Sequence, residues 1–323
     1  MAVIDRRSFI GLSAAAAAGC MARSAGPVPE FDDSLSVLVA DAHVCGGSER
    51  AGEFTPRRLA RFVDEVLSMR PLPKRVVHLG DLAYLYGSAC DYAAARPHLK
   101  RLEDAGVELV FCMGNHDRRS EFDKAFPGHL AKSPVPGKCV SVASLGSADM
   151  VILDGLQGAD DRPADDMGPG QGRLSPDQID WARAELPRRG RPFLLASHYP
   201  ICDLSMGEGK GNGLGRWLIA NAPMCKGYVY GHLHRWLPDW EHGPFKLRGT
   251  LRTLGLPSGG LWGDIGYATL RTYSDRAVCR LEIRDFFFPA EPRRPDDRPA
   301  PWRVKVDELK GASCTFLYDR EGV

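Results

Sequence analysis

The sequence predicts an α/β protein in which mixed β-sheets are covered by helices, and three features indicate this. Short apolar runs bounded by turn residues are typical of buried strands, and residues 34–40 (SLSVLVA) are the first of them. Segments with apolar residues at helical spacing alternate with these runs. From residue 245 to residue 283 the pattern becomes β-rich. Alternation followed by a β-rich end favours mixed sheets with helices packed on them.

The predicted elements follow one another along the chain. A helix begins at Thr55-Pro56, because threonine can cap a helix and proline fits its first turn, and residues 59–67 continue it with helical spacing. Another helix opens at Ser175 with the capping-box pattern Ser-Pro-Asp-Gln and runs to Leu186. The remaining predicted elements are strands over residues 75–79, 107–113, 139–143, 150–153, 192–197 and 226–230, and a helix over residues 91–105.

Composition restricts the classes of protein that fit. The chain has 323 residues, of which 44% are hydrophobic and 26% charged, as is ordinary for a globular protein. It contains no run of about 18 consecutive strongly apolar residues, so we exclude a polytopic membrane protein. The formal net charge of +1 gives no reason to expect a specific nucleic-acid partner.

The first 25 residues predict an export signal. Arg6 and Arg7 precede Ser-Phe-Ile and a weakly apolar, alanine-rich run, and this pattern resembles a twin-arginine signal peptide. The alternative is an N-terminal helix with no targeting role. Export would require the export machinery as a partner and would give a periplasmic or extracellular location. Cys20 is a candidate for lipid attachment, which would anchor the protein to a membrane.

The remainder of the chain divides into a domain and a tail. We expect one α/β domain over residues 31–288. Residues 289–301 are rich in proline and charge, a composition typical of linkers and surface-wrapping arms, so residues 289–323 are predicted to form a proline-rich C-terminal arm. Residues 155–172, rich in Gly, Asp and Pro, predict a loop.

Five predicted strands end in side chains that bind metals. They are followed by Asp-Ala-His at 41–43, Gly-Asp at 80–81, Gly-Asn-His-Asp at 114–117, His198, and Gly-His-Leu-His at 231–234. Because strand ends in α/β folds converge on one edge, we expect these groups to meet there. Asp, Asn and His together suit manganese, iron or zinc. Residues two apart in extended backbone point the same way, so each Asp-x-His or His-x-His pair is predicted to project together.

This ordered set of motifs resembles the calcineurin-like metallophosphoesterase superfamily. Each motif is weak alone, but five in this order, each after a strand, are specific. The resemblance implies two facing mixed β-sheets flanked by helices, an αββα sandwich. It also implies two divalent or trivalent metal ions as cofactors, with Mn, Fe and Zn as candidates.

The resemblance further implies a role for each motif residue. The implied ligands are Asp41, His43, Asp81 and His234 for the first ion, and Asp81, Asn115, His198 and His232 for the second, with Asp81 bridging. A metal-bridging hydroxide would attack the phosphorus. His116 would protonate the departing oxygen or stabilise its charge, and we place His116 and Asp117 in the catalytic set.

One departure from the family pattern leaves alternatives open. Many members read G-D-x-x-D, and the last Asp orients the histidine of G-N-H, whereas this chain has Tyr84 at that position. Tyr84 matches the iron-binding tyrosine of purple acid phosphatases, but those enzymes have glycine where this chain has His43. We favour His43 as the ligand and Tyr84 in the pocket wall. One of Arg118 and Arg119 is a candidate to clamp a substrate phosphate, and the alternative is that they form the solvated start of a helix. Arg118 and Tyr84 are the predicted substrate contacts.

The motifs predict an exported enzyme that hydrolyses small phosphate esters with two metal ions. The layout of the motifs resembles that of cyclic-nucleotide phosphodiesterases, which favours diesters over monoesters. Tyr84 keeps open a monoesterase resembling purple acid phosphatases. A non-catalytic scaffold on the same fold is the third alternative, although all seven ligand positions and His116 are filled.

Overall fold

The structure is a computed structural model of the chain, and it describes residues 35–156, 172–206, 213–239, 251–261, 266–283, 309 and 311–319. The predicted export signal, Cys20 and the proline-rich part of the predicted arm lie outside the described residues. Most of the predicted loop at 155–172 also lies outside them. Within the described ranges, no helix has the length and apolar character needed to cross a membrane.

The described elements alternate first and become β-rich later, as predicted. The strands are β1 (Ser36–Val39), β2 (Arg75–Leu79), β3 (Glu108–Cys112), β4 (Ser141–Ser144), β5 (Asp149–Ile152), β6 (Gly172–Arg173), β7 (Phe193–Ser197), β8 (Leu204–Ser205), β9 (Cys225–Tyr230), β10 (Leu237–Pro238), β11 (Arg252–Gly255), β12 (Gly266–Thr272), β13 (Arg276–Ile283) and β14 (Ser313–Leu317). The helices are α1 (Thr55–Ser68), α2 (Ala89–Asp104), α3 (Arg119–Ala125), α4 (Pro176–Glu185) and α5 (Gly213–Asn221).

Two six-stranded mixed sheets form the centre of the fold. The first has the order β14-β13-β12-β1-β2-β3, and the second has the order β10-β11-β9-β7-β5-β4. Strands β1, β2 and β3 run parallel to one another, as do β11, β9, β7 and β5. Antiparallel strands complete each sheet, which confirms the predicted mixed sheets.

The sheets face each other, and helices cover their outer faces. Alternate residues of β1 enter different cores: Val37 belongs to the core that contains Phe62 of α1, whereas Leu38 belongs to the core that contains Leu194 and Val229 of the second sheet. A third core joins the outer face of the second sheet to α4 and α5. This layering explains why β1 is apolar on both faces, and it confirms the predicted αββα sandwich.

The helix starts differ from prediction in detail. Thr55 is the first helical residue rather than the cap, because its hydroxyl accepts the Cys45 amide and donates to the Ala51 carbonyl, both at 2.9 Å. At α4, the Ser175 hydroxyl accepts the Gln178 amide at 3.4 Å, as a capping box requires. The Gln178 side chain, however, bonds to the main chain of Asp154 instead of returning to Ser175. The predicted capping box is therefore only half made.

Strand β14 was not predicted, because residues 313–317 were expected to belong to the C-terminal arm. The strand pairs with β13 in antiparallel register. Its alternate residues Cys314 and Phe316 are buried in the core between the two sheets, whereas Ser313 and Leu317 are exposed. The end of the chain thus completes the edge of the first sheet.

Candidate metal centre

The five motifs lie together at the carboxyl ends of parallel strands from both sheets. Strands β1, β2 and β3 of the first sheet and β7 and β9 of the second lead into them. The seven predicted ligands, Asp41, His43, Asp81, Asn115, His198, His232 and His234, form one cluster of close side-chain contacts. The predicted convergence at strand ends is therefore present in the fold.

The first half of the cluster contains Asp41, His43, Asp81 and His234. The two histidines bring their Nε2 atoms to 3.2 Å of each other. His234 Nε2 lies 3.3 Å from Asp41 Oδ1, and His43 Nε2 lies 3.6 Å from Asp81 Oδ2. All four residues are buried. One potential ligand atom from each lies within 4.8 Å of the others, so this group can hold a metal ion.

The second half contains Asp81, His198 and His232, together with Asn115. His198 Nε2 lies 3.3 Å from Asp81 Oδ2 and 3.1 Å from His232 Nδ1. The Asn115 side-chain oxygen lies 3.1 Å from His198 Nε2 and 3.0 Å from His232 Nδ1. Asp81 is the residue common to both halves, which is the position a bridging carboxylate requires.

The donor chemistry of the cluster fits metal ions. His198 Nδ1 is 2.9 Å from the Leu79 carbonyl, a partner for a ring N–H, so Nε2 of a neutral ring carries a lone pair. That lone pair faces Asp81 Oδ2, Asn115 Oδ1 and His232 Nδ1, which are also atoms with lone pairs. Converging lone pairs repel unless a proton or a metal ion lies among them. Oxygen and imidazole ligands of this kind suit manganese, iron or zinc.

Electrostatics keep the cluster ready for cations. Burial lowers the pKa of His43 to about 3 and that of His232 to about 4, so both rings are neutral at pH 7. Burial opposes ionisation of Asp81, but attraction from His198 outweighs it and the carboxyl pKa falls well below its usual value. Burial also disfavours the charged ring of His198, yet the carboxylates of Asp81 and Asp41 raise its pKa to about 9. The two carboxylates and the neutral rings of His43 and His232 are ligand forms that metals bind, whereas His198 holds a proton at pH 7 that a metal ion would displace.

The backbone at the ligands is left-handed rather than extended. Five of the seven predicted ligands have positive φ angles: Asp41 (55°), His43 (44°), Asp81 (54°), His232 (65°) and His234 (55°). The prediction that extended backbone aims each i, i+2 pair at the site is therefore wrong, although the pairs do reach it. Asp and His tolerate this conformation better than most residues, but it is strained, and such strain is typical of functional sites.

Two glycines permit the close approach of the second, third and fourth motifs. A Cβ atom on Gly114 would lie 2.2 Å from Asp81 Oδ1. Gly80 has a φ angle of 86°, and a Cβ atom there would lie 2.6 Å from His198 Nδ1. A side chain at either position would thus displace a ligand.

His116 lies beside the cluster, and a backbone carbonyl orients its ring. Its Nδ1 lies 2.8 Å from the Leu85 carbonyl oxygen, and its Nε2 lies 4.0 Å from Asp81 Oδ2. The His116 ring also packs edge-on against His43. The Leu85 carbonyl thus takes the orienting role expected of the aspartate that Tyr84 replaces. This partner has no sequence signal, because every residue has a carbonyl.

Asp117 lies behind the cluster, and its hydrogen bonds indicate that it positions two turns, while its predicted catalytic role stays a prediction. Asp117 Oδ2 accepts the amides of Asp81 at 2.8 Å and Gly114 at 2.9 Å, and Oδ1 accepts the Ala83 amide at 3.1 Å. The Tyr92 hydroxyl donates to Oδ1 at 3.1 Å. This buried carboxylate ties the Gly-Asp turn to the Gly-Asn-His-Asp turn.

The structure separates the candidate substrate contacts. Arg119 is buried in a bidentate ion pair with Asp154, at 2.8 and 2.9 Å, so the alternative that it clamps a phosphate is wrong. Arg118 is half-buried at the start of α3. Tyr84 is also half-buried. Burial raises its pKa, and the neighbouring groups that raise it further are Cys45, Glu49 and Asp91, none of which is a predicted ligand.

Solved structures with a similar fold include phosphatases. A dimetal phosphatase from Danio rerio aligns with a TM-score of 0.58 and 14% identity, covering 89% of this chain and 100% of that one. A purple acid phosphatase from yellow lupin seeds aligns with a TM-score of 0.54 and 14% identity, covering 90% of this chain and 55% of that one. At such low identity, these likenesses support the fold alone.

Relatives at the sequence level carry phosphodiesterase names. The chain is 26% identical over 289 residues to a "probable cyclic nucleotide phosphodiesterase" of Rhodopseudomonas palustris, covering 88% of this chain and 93% of the relative. It is 23% identical over 210 residues to a "cAMP/cGMP dual specificity phosphodiesterase" of Mycobacterium tuberculosis, covering 62% of each protein.

A family model described as calcineurin-like phosphoesterase matches residues 36–236. This range runs from β1 to just beyond the last motif, so it contains all seven predicted ligands, His116 and Asp117. It also covers more than half of the chain. The protein therefore belongs to the calcineurin-like phosphoesterase family and is a metal-dependent hydrolase of phosphoric esters.

Proposed function

We propose that this protein is an exported phosphodiesterase that hydrolyses small phosphodiesters, cyclic nucleotides among them, with two metal ions. The observation that carries the proposal is the shared cluster. Two groups of ligand atoms meet at Asp81, and His116 stands beside them. The phosphodiesterase names of the two relatives support diesters as the substrate class.

The residues that would hold the ions follow from the contacts in the cluster. The first ion would be held by Asp41, His43, Asp81 and His234, and the second by Asp81, Asn115, His198 and His232. When bound, such a pair supplies Lewis-acid chemistry, activating a water molecule and offsetting negative charge on the phosphoryl group. The chain's own share is to hold these side chains in place before the substrate arrives.

His116 is the proposed proton donor to the departing oxygen. Its Nδ1 is held by the Leu85 carbonyl, which leaves Nε2 on the side of Asp81 and His43. When the ring is charged it carries a proton on each nitrogen, so the proton on Nε2 can pass to an ester oxygen bound at the cluster while Nδ1 keeps its proton on the carbonyl. General acids of this kind contribute about 10²–10⁴-fold to the rate.

Arg118 remains the proposed phosphate contact, with Tyr84 as a more distant part of the pocket wall. Arg118 directly follows the Gly-Asn-His-Asp turn, and its amide donates to the Tyr92 hydroxyl at 2.8 Å. Its Nε atom is buried and lacks a hydrogen-bond partner within the described ranges, which supports a role in binding an anion. A guanidinium can hold a phosphate by two parallel hydrogen bonds.

The acid-phosphatase alternative gains no support from Tyr84. Iron ligation by this tyrosine needs its phenol among the ligand atoms, yet the groups that shift its pKa after burial are Cys45, Glu49 and Asp91. His43, by contrast, lies within the first ligand group. We therefore propose His43 as the ligand and diesters as the preferred substrates.

Hydrolysis of paired model esters tests the substrate class. Purified protein with added Mn²⁺ would be assayed on bis-p-nitrophenyl phosphate, p-nitrophenyl phosphate and cyclic AMP. The proposal expects the diesters to be cleaved with the higher kcat/KM. A clear preference for the monoester would favour the acid-phosphatase alternative. Turnover of none of the three esters by metal-loaded protein would contradict the enzymatic role.

Export is proposed from the first 25 residues, whose paired arginines support recognition by a twin-arginine translocase. A full-length protein with Arg6→Lys and Arg7→Lys, expressed in a bacterium with this translocase, would test it by cell fractionation. We expect the unchanged protein outside the cytoplasm and the double variant inside it. Equal distribution of the two would contradict the proposal. Mass spectrometry of the exported protein would show whether Cys20 carries a lipid.

A further inference from the structure

A loop outside the five motifs lies directly behind the Asp41 turn. Ser258 forms an isolated parallel bridge with Ala40, and the Gly259 amide donates to the Ala40 carbonyl at 2.7 Å. The Ser258 hydroxyl donates to the Asp41 carbonyl at 2.8 Å. The sequence shows this segment only as a turn, Pro-Ser-Gly-Gly, between two strands.

The Ser258 hydroxyl connects the conformation of its own loop to that of the Asp41 turn. The side chain is fully buried, and its oxygen accepts the amides of Gly260 at 3.2 Å and Leu261 at 3.1 Å. Its own proton goes to Asp41. The hydroxyl thus uses both its donor and its acceptor capacity, which fixes its orientation.

The loop approaches the backbone on both sides of Asp41 so closely that side chains are excluded. A Cβ atom on Gly260 would lie 1.9 Å from the Ala42 carbonyl oxygen, and one on Gly259 would lie 3.0 Å from the Ala40 carbonyl oxygen. The contact is therefore backbone against backbone, and it leaves the Asp41 turn little room to relax.

Arg58 of α1 holds the same loop from the helix layer. Its side chain is buried, its Nη1 donates to the carbonyls of Gly260 and Leu261, and its guanidinium lies over the Phe54 ring. A buried guanidinium that bonds to two consecutive carbonyls fixes their direction. Arg58 and Ser258 together therefore connect α1, the loop and Asp41.

We infer that Ser258 and Arg58 are positioning residues for the first metal ion. Asp41 has a strained φ angle of 55°, and strain of this kind persists only where the surroundings fix the backbone. The loop supplies such surroundings, and the Asp41 carboxylate direction depends on that backbone. This inference rests on the proposed role of Asp41 as a ligand.

The test is a calorimetric titration of metal-free protein with Mn²⁺, using Ser258→Ala and the matched control Thr272→Val. Thr272 is also a buried residue whose hydroxyl donates to a carbonyl, that of Leu145. It lies at the end of the first sheet that is opposite to the Asp41 turn. Ser258→Ala should weaken one of two Mn²⁺ sites by about 10–100-fold and leave the other unchanged. Thr272→Val should lower the Tm and leave both affinities unchanged.

Arg58→Met provides a second variant if Ser258→Ala fails to fold. The same single weakened site is expected, because the loop loses its support from α1. Unchanged Mn²⁺ affinities in a folded Ser258 or Arg58 variant would overturn the inference, as would equal weakening of both sites. Absence of Mn²⁺ binding by the wild-type protein would instead contradict the proposed function, so the two failures are distinguishable.

Discussion

The Asp41 turn and the Asp81 turn have the same backbone conformation and the same kind of contact to another motif. Each aspartate follows a strand of the parallel group in the first sheet and has a φ angle near 55°. Each carboxylate accepts an amide from another motif, that of His232 for Asp41 at 3.0 Å and that of His116 for Asp81 at 2.8 Å. They differ in what fixes the turn, which is a hydroxyl at Asp41 and a carboxylate at Asp81.

The turn whose aspartate serves more metal sites is fixed by more hydrogen bonds. The Asp117 carboxylate accepts hydrogen bonds from several backbone amides and from the Tyr92 hydroxyl. Burial together with repulsion from Asp81 raises its pKa to about 6. Ser258 offers one oxygen to two amides and one proton to a carbonyl. Asp81 belongs to both ligand groups, so the stronger support lies where two sites depend on one side chain.

The largest effect is expected from Asp81→Asn. This change removes the negative charge and one ligand oxygen shared by both groups, so both ions should be lost. Activity should fall by more than the roughly 10²–10⁴-fold that a lost general acid costs. Elemental analysis of the dialysed variant, beside an ester assay, checks both effects.

His116→Ala should separate chemistry from metal binding. We expect kcat to fall by about 10²–10⁴-fold, because the proton donor to the departing oxygen is absent. Metal content should stay at the wild-type value, since His116 is not among the ligand groups. Loss of metal together with activity would show that the ring is instead part of the cage.

Asp117→Ala should act through the Asp81 turn. The change leaves the buried amides of Asp81, Ala83 and Gly114 without an acceptor. Each unsatisfied amide lowers the folding stability by at most about 3 kcal/mol. Metal affinity should fall by about 10–100-fold, and Mn²⁺ in excess should restore part of the activity.

Asp117→Asn is the matched control for that variant. Its one remaining oxygen can still accept amides on one side, so its Mn²⁺ affinity should lie between those of Asp117→Ala and the wild type. The account of Asp117 as a positioning residue fails if both variants bind Mn²⁺ normally and yet lose activity, because that result would make it catalytic.

The smallest effect on the metal centre is expected from Arg119→Met. This change leaves the buried carboxylate of Asp154 unpaired, and such a loss costs about 3–5 kcal/mol of folding stability. Mn²⁺ affinity of the folded protein should remain at the wild-type value. Denaturant unfolding and Mn²⁺ titration check the two parts, and Arg119→Met with Asp154→Asn should recover some stability.

Much of the site could be predicted from sequence because its ligands follow strands whose apolar runs are distinct. The seven ligand positions and His116 belong to short motifs, and the fold brings them to one place. The supports of those residues could not be predicted in the same way. The Leu85 carbonyl has no sequence signature, and Ser258 lies in an ordinary turn far along the chain.

The errors in the fold have similar causes. Extended backbone was expected at Asp41 and His234, but both are left-handed, and the Asp41 turn is held by a hydroxyl 217 residues away that local sequence does not reveal. Strand β14 was not expected because proline-rich residues precede it, and composition does not show that a segment will pair with a distant strand such as β13. Gln178 matched the capping-box pattern but bonds to Asp154, a partner 24 residues away.

The most direct test of the shared cluster is anomalous diffraction from crystals of the protein loaded with Mn²⁺. The account predicts two peaks, one among Asp41, His43 and His234 and the other among Asn115, His198 and His232, with Asp81 contacting both. A single peak, or peaks that Asp81 does not join, would contradict it.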